Sequence, residues 1–257
     1  SGLVGSEMCI RDRSSDSSIP EITSDRDVLE VPCNYTESQL LEGLSAYDQD
    51  DGDLTSKIVV GSMSRFINPG VCNVTYVVFD SSNHSASFTR KVRFSDYHAP
   101  RFNTSEPLVF TEREGNSTLL KERIIANDII DGEISESVIN TSSDINYSVA
   151  GTYHSTYEVS NSFGDTSTIE LPVHIIKSEN NQIDIKLTQG IIYINTGDTI
   201  DAADYIESVT SAQGRTLHRV VKIESNVDNT TPGVYEIHYS ASYSGTNGET
   251  WLTVVVQ

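Results

Sequence analysis

The stretch AYDQDDGDLTSKI, residues 46–58, carries Asp48, Asp50, Asp51 and Asp53 within six positions. Carboxylates this dense suit three jobs: ligating a hard cation, flanking a substrate bond as an acid–base pair, or capping the backbone of a turn. Spacing excludes an EF-hand. Its loop needs glycine sixth and a bidentate glutamate twelfth, whereas counting from Asp48 puts Gly52 fifth and Val59 twelfth. A hydrolytic pair is disfavoured, because acids bunched on one tight turn cannot reach a substrate bond from opposite faces. Two readings stay open. Either Asp48, Asp51 and Asp53 converge with Asp80 to offer oxygens to calcium, the one cofactor the pattern admits, or Asp51-Gly52 forms a turn whose carboxylates accept local N–H groups.

Other reactive residues are sparse. The segment MCIRDR (8–13) looks like the translation of a transposon end used in sequencing adaptors, so residues 1–13 read as an assembly scar and 14–19 as a disordered lead-in. Setting Cys9 aside leaves Cys33 and Cys72, which are expected to pair. A bridge closing about forty residues stabilises by roughly 4 kcal/mol in the chain-entropy account, and the alternative is two buried thiols. Zinc needs more ligands than this pair supplies. The histidines, His84, His98, His154, His174, His218 and His238, form no His-Glu-x-x-His pattern. Neither a nucleophile elbow nor a phosphate-cradling glycine loop is present. His154 and His238 fall at outward strand positions, where a solvated ring is expected. Trp251, the single tryptophan, and the strand tyrosines offer no evident sugar platform.

Charge narrows the partners. The chain has 257 residues, 17 Lys+Arg against 37 Asp+Glu, and a formal net charge of −20. Too little positive charge is available to neutralise phosphates, which excludes nucleic acid as the expected partner. No apolar run is long enough for membrane insertion within this fragment. The sequons at Asn34, Asn73, Asn83, Asn103, Asn116, Asn140, Asn146 and Asn229 reflect Asn/Ser/Thr-rich strands and turns.

These residues sit in a repeating framework. SAYDQDDGDLTSKI (45–58) aligns with IANDIIDGEISESV (125–138), placing Asp48 over Asp128, Asp51 over Asp131 and Gly52 over Gly132. Downstream, PGVCNVTYVVFD (69–80), AGTYHSTYEVSN (150–161) and PGVYEIHYSASY (232–243) align in turn. Each has a Gly, a Cys or Tyr two residues on, and a Tyr four further: Gly70/Cys72/Tyr76, Gly151/Tyr153/Tyr157 and Gly233/Tyr235/Tyr239. Apolar residues alternate through these segments, the period of a half-buried strand. Turn clusters such as DSSN and NSFGD separate strand pairs. Only TESQLLEGL (36–44) and DAADYIESV (201–209) suggest helix, one or two turns each. The expected fold is all-β: three tandem β-sandwich domains, elongated, over 20–97, 98–177 and 181–257, the third diverged and lacking the Asp-Gly-Asp turn.

The Gly-x-Tyr-x-x-x-Tyr strand resembles strand F of immunoglobulin-like folds, where a tyrosine near the strand start bonds back to the corner backbone. Together with A-x-D-x-x-D-G-D-L-T-x-x-I and P-G-x-x-x-V-T-Y-x-V-x-D-x-x-N, the pattern is similar to the bacterial immunoglobulin-like repeats of cell-surface proteins and pesticidal crystal proteins, and distantly to hyalin and cadherin-type repeats. In the second copy Asn161 stands for Asp80 and Glu133 for Asp53. The resemblance implies a non-enzymatic, extracellular region of a bacterial surface protein, a stalk or adhesion module meeting an unknown protein or glycan ligand. The alternative is an accessory carbohydrate- or protein-binding region of a secreted enzyme whose catalytic domain lies elsewhere.

Overall fold

The computed structural model describes residues 18–217 and 220–257. The expected scar at 1–13, Cys9 and His218 fall outside the described residues. Of the expected disordered lead-in, Ser18 and Ile19 are described, and Ser18 Oγ already donates to Asp48 Oδ1 at 2.8 Å. The chain divides into two compact units that part between Tyr97 and His98.

The first unit contains β1 (Glu21–Ser24), β2 (Val28–Val31), helix α1 (Glu37–Leu40), β3 (Leu44–Asp48), β4 (Gly52–Asp53), β5 (Val59–Asn68), β6 (Val71–Phe79) and β7 (Ser85–Phe94). They build two sheets, ordered β1-β3-β4 and β2-β7-β6-β5. β6 shows why the strands form: Cys72, Val74, Tyr76 and Val78 point inward and are fully buried, while alternate residues face outward. A one-residue slip would invert that face, so the pattern also fixes the register with β7, from Val71 opposite Arg93 to Phe79 opposite Ser85. α1 is one turn, its start held by Gln39 Oε1 accepting the Thr36 N–H at 2.8 Å.

The second unit repeats this plan twice. Its first sandwich has β8 (Arg101–Thr104), β9 (Val109–Thr111), α2 (Ser117–Arg123), β10 (Ile124–Asp128), β11 (Gly132–Glu133), β12 (Ile139–Ser143), β13 (Gly151–Ser160) and β14 (Thr166–Ile176). The sheets run β8-β10-β11 and β9-β14-β13-β12. Its second sandwich has β15 (Ile183–Leu187), β16 (Ile191–Ile194), β17 (Ile206–Ser211), β18 (Val221–Ser225), β19 (Gly233–Tyr243) and β20 (Thr246–Val256), in sheets β15-β17 and β16-β20-β19-β18. Where the Asp-Gly-Asp turn is missing from the sequence, the third strand of the small sheet shrinks to one bridge, Thr210 opposite Thr216, across a turn at Gly214. The Leu217 N–H still donates to Val209 O, as Leu54 does to Ala46 O and Ile134 to Ala126 O.

In every sandwich the opening strand changes sheets. β1 pairs antiparallel with β3, and β2 then pairs parallel with β7. β9 pairs parallel with β14, and β16 with β20. The all-β, multi-domain immunoglobulin-like sandwich fold follows from this wiring. Helix α2 is the element the sequence reading missed: its residues bury little beyond Leu120, and Asn116 starts it by accepting the N–H groups of Thr118 and Leu119 at 3.0 Å each.

Sandwiches 2 and 3 keep separate cores yet share a seam. Leu171, Val173 and Phe102 centre one core, and Ile237, Tyr239 and Leu252 the other. Ile191 of β16 is buried in the former. The Tyr193 hydroxyl donates to Phe102 O and accepts from Phe102 N–H, each at 2.9 Å.

Candidate functional site

The acidic turn joins β3 to β4, with Asp48 opposite Gly52 and Tyr47 opposite Asp53. Gly52 has φ +76°, a left-handed conformation that glycine adopts without strain. Asp48 is 1% exposed, and its Oδ1 accepts the N–H groups of Asp50 (2.8 Å) and Asp51 (3.0 Å). Buried carboxylates need such donors to offset lost hydration. Asp51 reaches across to the next loop and accepts from both the N–H and the hydroxyl of Ser81. Asp53 Oδ1 accepts the Thr55 N–H at 2.9 Å, and hydrogen bonds from Thr55 hold this exposed carboxyl below its usual range. Asp80 is buried: Oδ1 accepts the N–H groups of Ser82 and His84, and Oδ2 meets His84 Nδ1 at 2.7 Å. Leu54 and Ile58 turn into the core.

The second copy reproduces these bonds of Asp48 and Asp51 atom for atom. Asp128 Oδ1 accepts from Ile130 and Asp131 N–H, and Asp131 takes the Ser162 N–H and hydroxyl. Ile134 and Val138 pack on the core. Asn161 replaces Asp80 and adds one bond, Nδ2 to Asp128 Oδ2 at 3.1 Å. Glu133 substitutes for Asp53 by accepting from the Ser135 hydroxyl at 3.0 Å. Chemically, these acids act as ties between loops. Among the described residues, no three His, Cys, Asp or Glu side chains converge as a metal-ligand group.

The structure does not join Cys33 to Cys72, so the expected bridge is not formed in it. β2 and β6 flank β7 on opposite sides. β2 ends at Val31, so Cys33 sits in the turn beyond it, while Cys72 lies within β6. The Cys33 N–H is held by Asp96 Oδ1 at 2.7 Å, past the end of β7, whereas Cys72 lies opposite Val92. Burial pushes the Cys72 thiol up to about 11. Its tyrosine counterparts do what the resemblance implied: Tyr153 donates to Val149 O and Tyr235 to Thr231 O, each at 3.0 Å and four residues upstream. Copy 1, with cysteine there, has lost that corner bond.

The seam between sandwiches 2 and 3 holds side chains the sequence reading passed over. His174 is 5% exposed and stacks on Trp251 with ring centroids 3.8 Å apart and planes 6° apart. His238 stacks on the same indole at 4.3 Å and 18°. Two imidazoles this close to one centroid cannot lie side by side, so they cover opposite faces. His174 Nε2 meets Glu236 Oε1 at 2.6 Å and Nδ1 meets Thr152 Oγ1 at 3.1 Å. His238 Nε2 meets Glu249 Oε2 at 3.1 Å. His238 is therefore no solvated ring, and Trp251 keeps no open face for a sugar. His154 remains exposed, as expected, while His98 Nδ1 lies 2.8 Å from Ala99 O. Beside the seam opens a cleft of about 680 Å³, bounded by β9 and α2 on one side and β15 on the other.

No family model matches the chain. It is 26% identical over 206 residues to the pesticidal crystal protein Cry22Aa of Bacillus thuringiensis, covering 77% of this chain and 27% of that protein. It is 31% identical over 139 residues to an uncharacterized 81.3 kDa protein of Acholeplasma phage L2, covering 52% of this chain and 18% of that one. The chain thus spans under a third of either relative. Solved structures with similarity include the M60 catalytic domain with CBM51-1 and CBM51-2 from Clostridium perfringens ZmpB (14% identity, 92% of this chain, 30% of that one, TM-score 0.25). Another is the protocadherin GammaB4 extracellular domain (12% identity, 94% and 50%, TM-score 0.23). Superpositions this loose identify no shared site. Among the described residues, no helix is long and apolar enough to cross a membrane.

Proposed function

We propose that this chain is a non-enzymatic, extracellular repeat region of a bacterial surface protein, serving as a spacer or adhesion module. One observation carries this reading: the acids that could do chemistry are spent on identical loop ties in two successive copies. Asp51 clasps Ser81 and Asp131 clasps Ser162, while Asp48 and Asp128 each cap their own turn. A catalytic acid must face substrate, whereas these face backbone N–H groups. The similarity to part of Cry22Aa supports a module within a larger chain.

Calcium at Asp48, Asp51, Asp53 and Asp80 is the competing use of the same residues. The ion takes six to eight oxygens, so these carboxylates would have to exchange N–H donors for it. Melting the chain in millimolar Ca²⁺ and in chelator separates the two, because a ligand bound only by the folded state raises its stability. Identical curves are expected, and a rise abolished by Asp51→Asn would make the turn a calcium site. Location is tested by protease shaving of intact cells that carry the parent protein. Peptides from 18–257 should be released, and their confinement to the cell interior would overturn the surface reading.

A further inference from the structure

The cleft beside the seam has a feature that a packing void lacks. All five residues of β15, Ile183 to Leu187, line it. Ile183, Ile185 and Leu187 point into the core and Asp184 and Lys186 point out. Residues of both parities border one space only if the strand presents its edge to that space. Among the described residues, β15 pairs on one side alone, with β17. Outside that pairing, the backbone bonds near it lie beyond its ends, Gln182 N–H to Asn247 O and Thr188 N–H to Tyr205 O. The opposite wall, β9, is also an edge strand, but its outer carbonyls are occupied: Val109 O accepts from Arg123, and Thr111 O from the N–H groups of Glu114 and Gly115. One open ladder therefore faces the cleft.

Open edges are templates for another strand, and proteins usually blunt or cover them. Here the edge lies recessed beneath a rim of defined charge. Glu106, Glu114, Asp184, Glu207 and Glu249 line the cleft against Arg123 and Lys186, five acids to two cations and a net of −3. Arg123 is already engaged by Glu106 at 2.8 Å and lies over the Phe110 ring at 4.2 Å. Leu119, 37% exposed, supplies apolar surface above the buried Phe110 and Ile176. A second copy of this chain is a poor occupant, since each carries a net charge of −20.

We propose that the β15 edge binds an extended segment of a partner protein by strand addition, and that this segment alternates apolar residues with Lys or Arg. The ladder supplies main-chain hydrogen bonds and the acidic rim selects the alternate side chains. Five residues, about 17 Å at strand rise, match β15 in length. The inference rests on the reading of the chain as a non-catalytic binding region and gives that region a partner class.

The probe is a labelled, capped Val-Lys-Val-Lys-Val peptide, followed by fluorescence anisotropy with the purified full chain at 0.15 M salt. Two further versions carry N-methyl groups on residues 1, 3 and 5 or on residues 2 and 4. Strand addition uses one edge of the peptide, so one methylated form should lose about tenfold or more in affinity and the other should bind like the parent. Val-Glu-Val-Glu-Val should not bind. Asp184→Lys with Glu207→Lys should abolish binding while the protein still melts cooperatively, and amide exchange at 183–187 should slow with the parent peptide alone. Equal binding of both methylated forms would mean charge attraction only and would overturn the proposal, as would no binding at millimolar peptide. Neither result bears on surface location, which the shaving experiment decides separately.

Discussion

Gly190 controls how closely sandwiches 2 and 3 approach. A β-carbon built there would lie 1.9 Å from Thr104 Oγ1 and 3.2 Å from both Thr104 Cβ and Glu106 O. Ordinary contact begins at 3.4 Å, so Gly190→Ala is short of room by at least 1.5 Å (3.4 minus 1.9). Gly190 is not among the glycines with positive φ, so alanine suits its backbone and the effect is steric alone. Thr104 is 5% exposed and β-branched, with few rotamers to escape into. Either it rotates against its packing or the seam opens by about 1 Å. A gap of that size forfeits a quarter to a half of each van der Waals contact across it, including those of Ile191. Overpacking of this kind costs about 1–3 kcal/mol. For a unit of 160 residues (98 to 257) that is a fall in Tm of roughly 2–12 °C. Calorimetry of the full chain measures it, with the unit ending at Tyr97 as internal control. Thr104→Ala removes the nearest atom, a buried hydroxyl with no hydrogen-bond partner, so the double variant should recover about 1 kcal/mol or more relative to additivity. A Gly190→Ala protein that melts like wild type would refute the reasoning. So would a Thr104→Ala background that fails to relieve it.

Asp51→Ala removes both ties to Ser81 and should cost the first unit about 1–2 kcal/mol; a loss in urea titration spread equally over both units would count against a local tie. Tyr153→Phe and Tyr235→Phe each delete one corner bond and should cost about 1 kcal/mol apiece, checked by the same titration. Cys72, fully buried with its thiol pushed up to about 11, should resist iodoacetamide at pH 8 in the native protein. After unfolding without reductant, all three cysteines of the chain should react; two fewer would establish the bridge that the structure lacks.

Much of the fold was readable because strand alternation is local. β6, β13 and β19 repeat a Gly, Cys/Tyr, Tyr spacing in which each second side chain must be apolar to reach a core, and burial follows that pattern. The acidic turn was readable for the same reason: Asp51-Gly52 and Leu54 lie within four residues of each other, so one short stretch specifies turn, tie and core. The seam obeys no such rule. His174 and Trp251 are 77 positions apart (251 minus 174) on different sandwiches, at outward places where polar residues normally mean solvent. A neighbouring sandwich covers that face, and nothing in the period of either strand announces it. Nor does any local pattern say how Cys33, in the turn after β2, and Cys72, within β6, are placed relative to each other.

The sheet-switching first strand has a mechanical consequence. β2 lies near the start of its sandwich and runs parallel to β7, the last strand, over four paired positions, Val28–Lys91 to Val31–Phe94. β16 and β20 also pair over four, and β9 and β14 over three. A pull on the two ends of a sandwich draws its first strand backwards along its own direction and its last strand forwards. Because the two run parallel, the bonds between them are loaded together in shear, whereas an antiparallel terminal pair would peel apart one bond at a time. Each sandwich thus carries its own small clamp against tension. The shortest clamp, β9–β14, is expected to yield at the lowest force, and single-molecule extension in which another sandwich opens first would reverse that ranking.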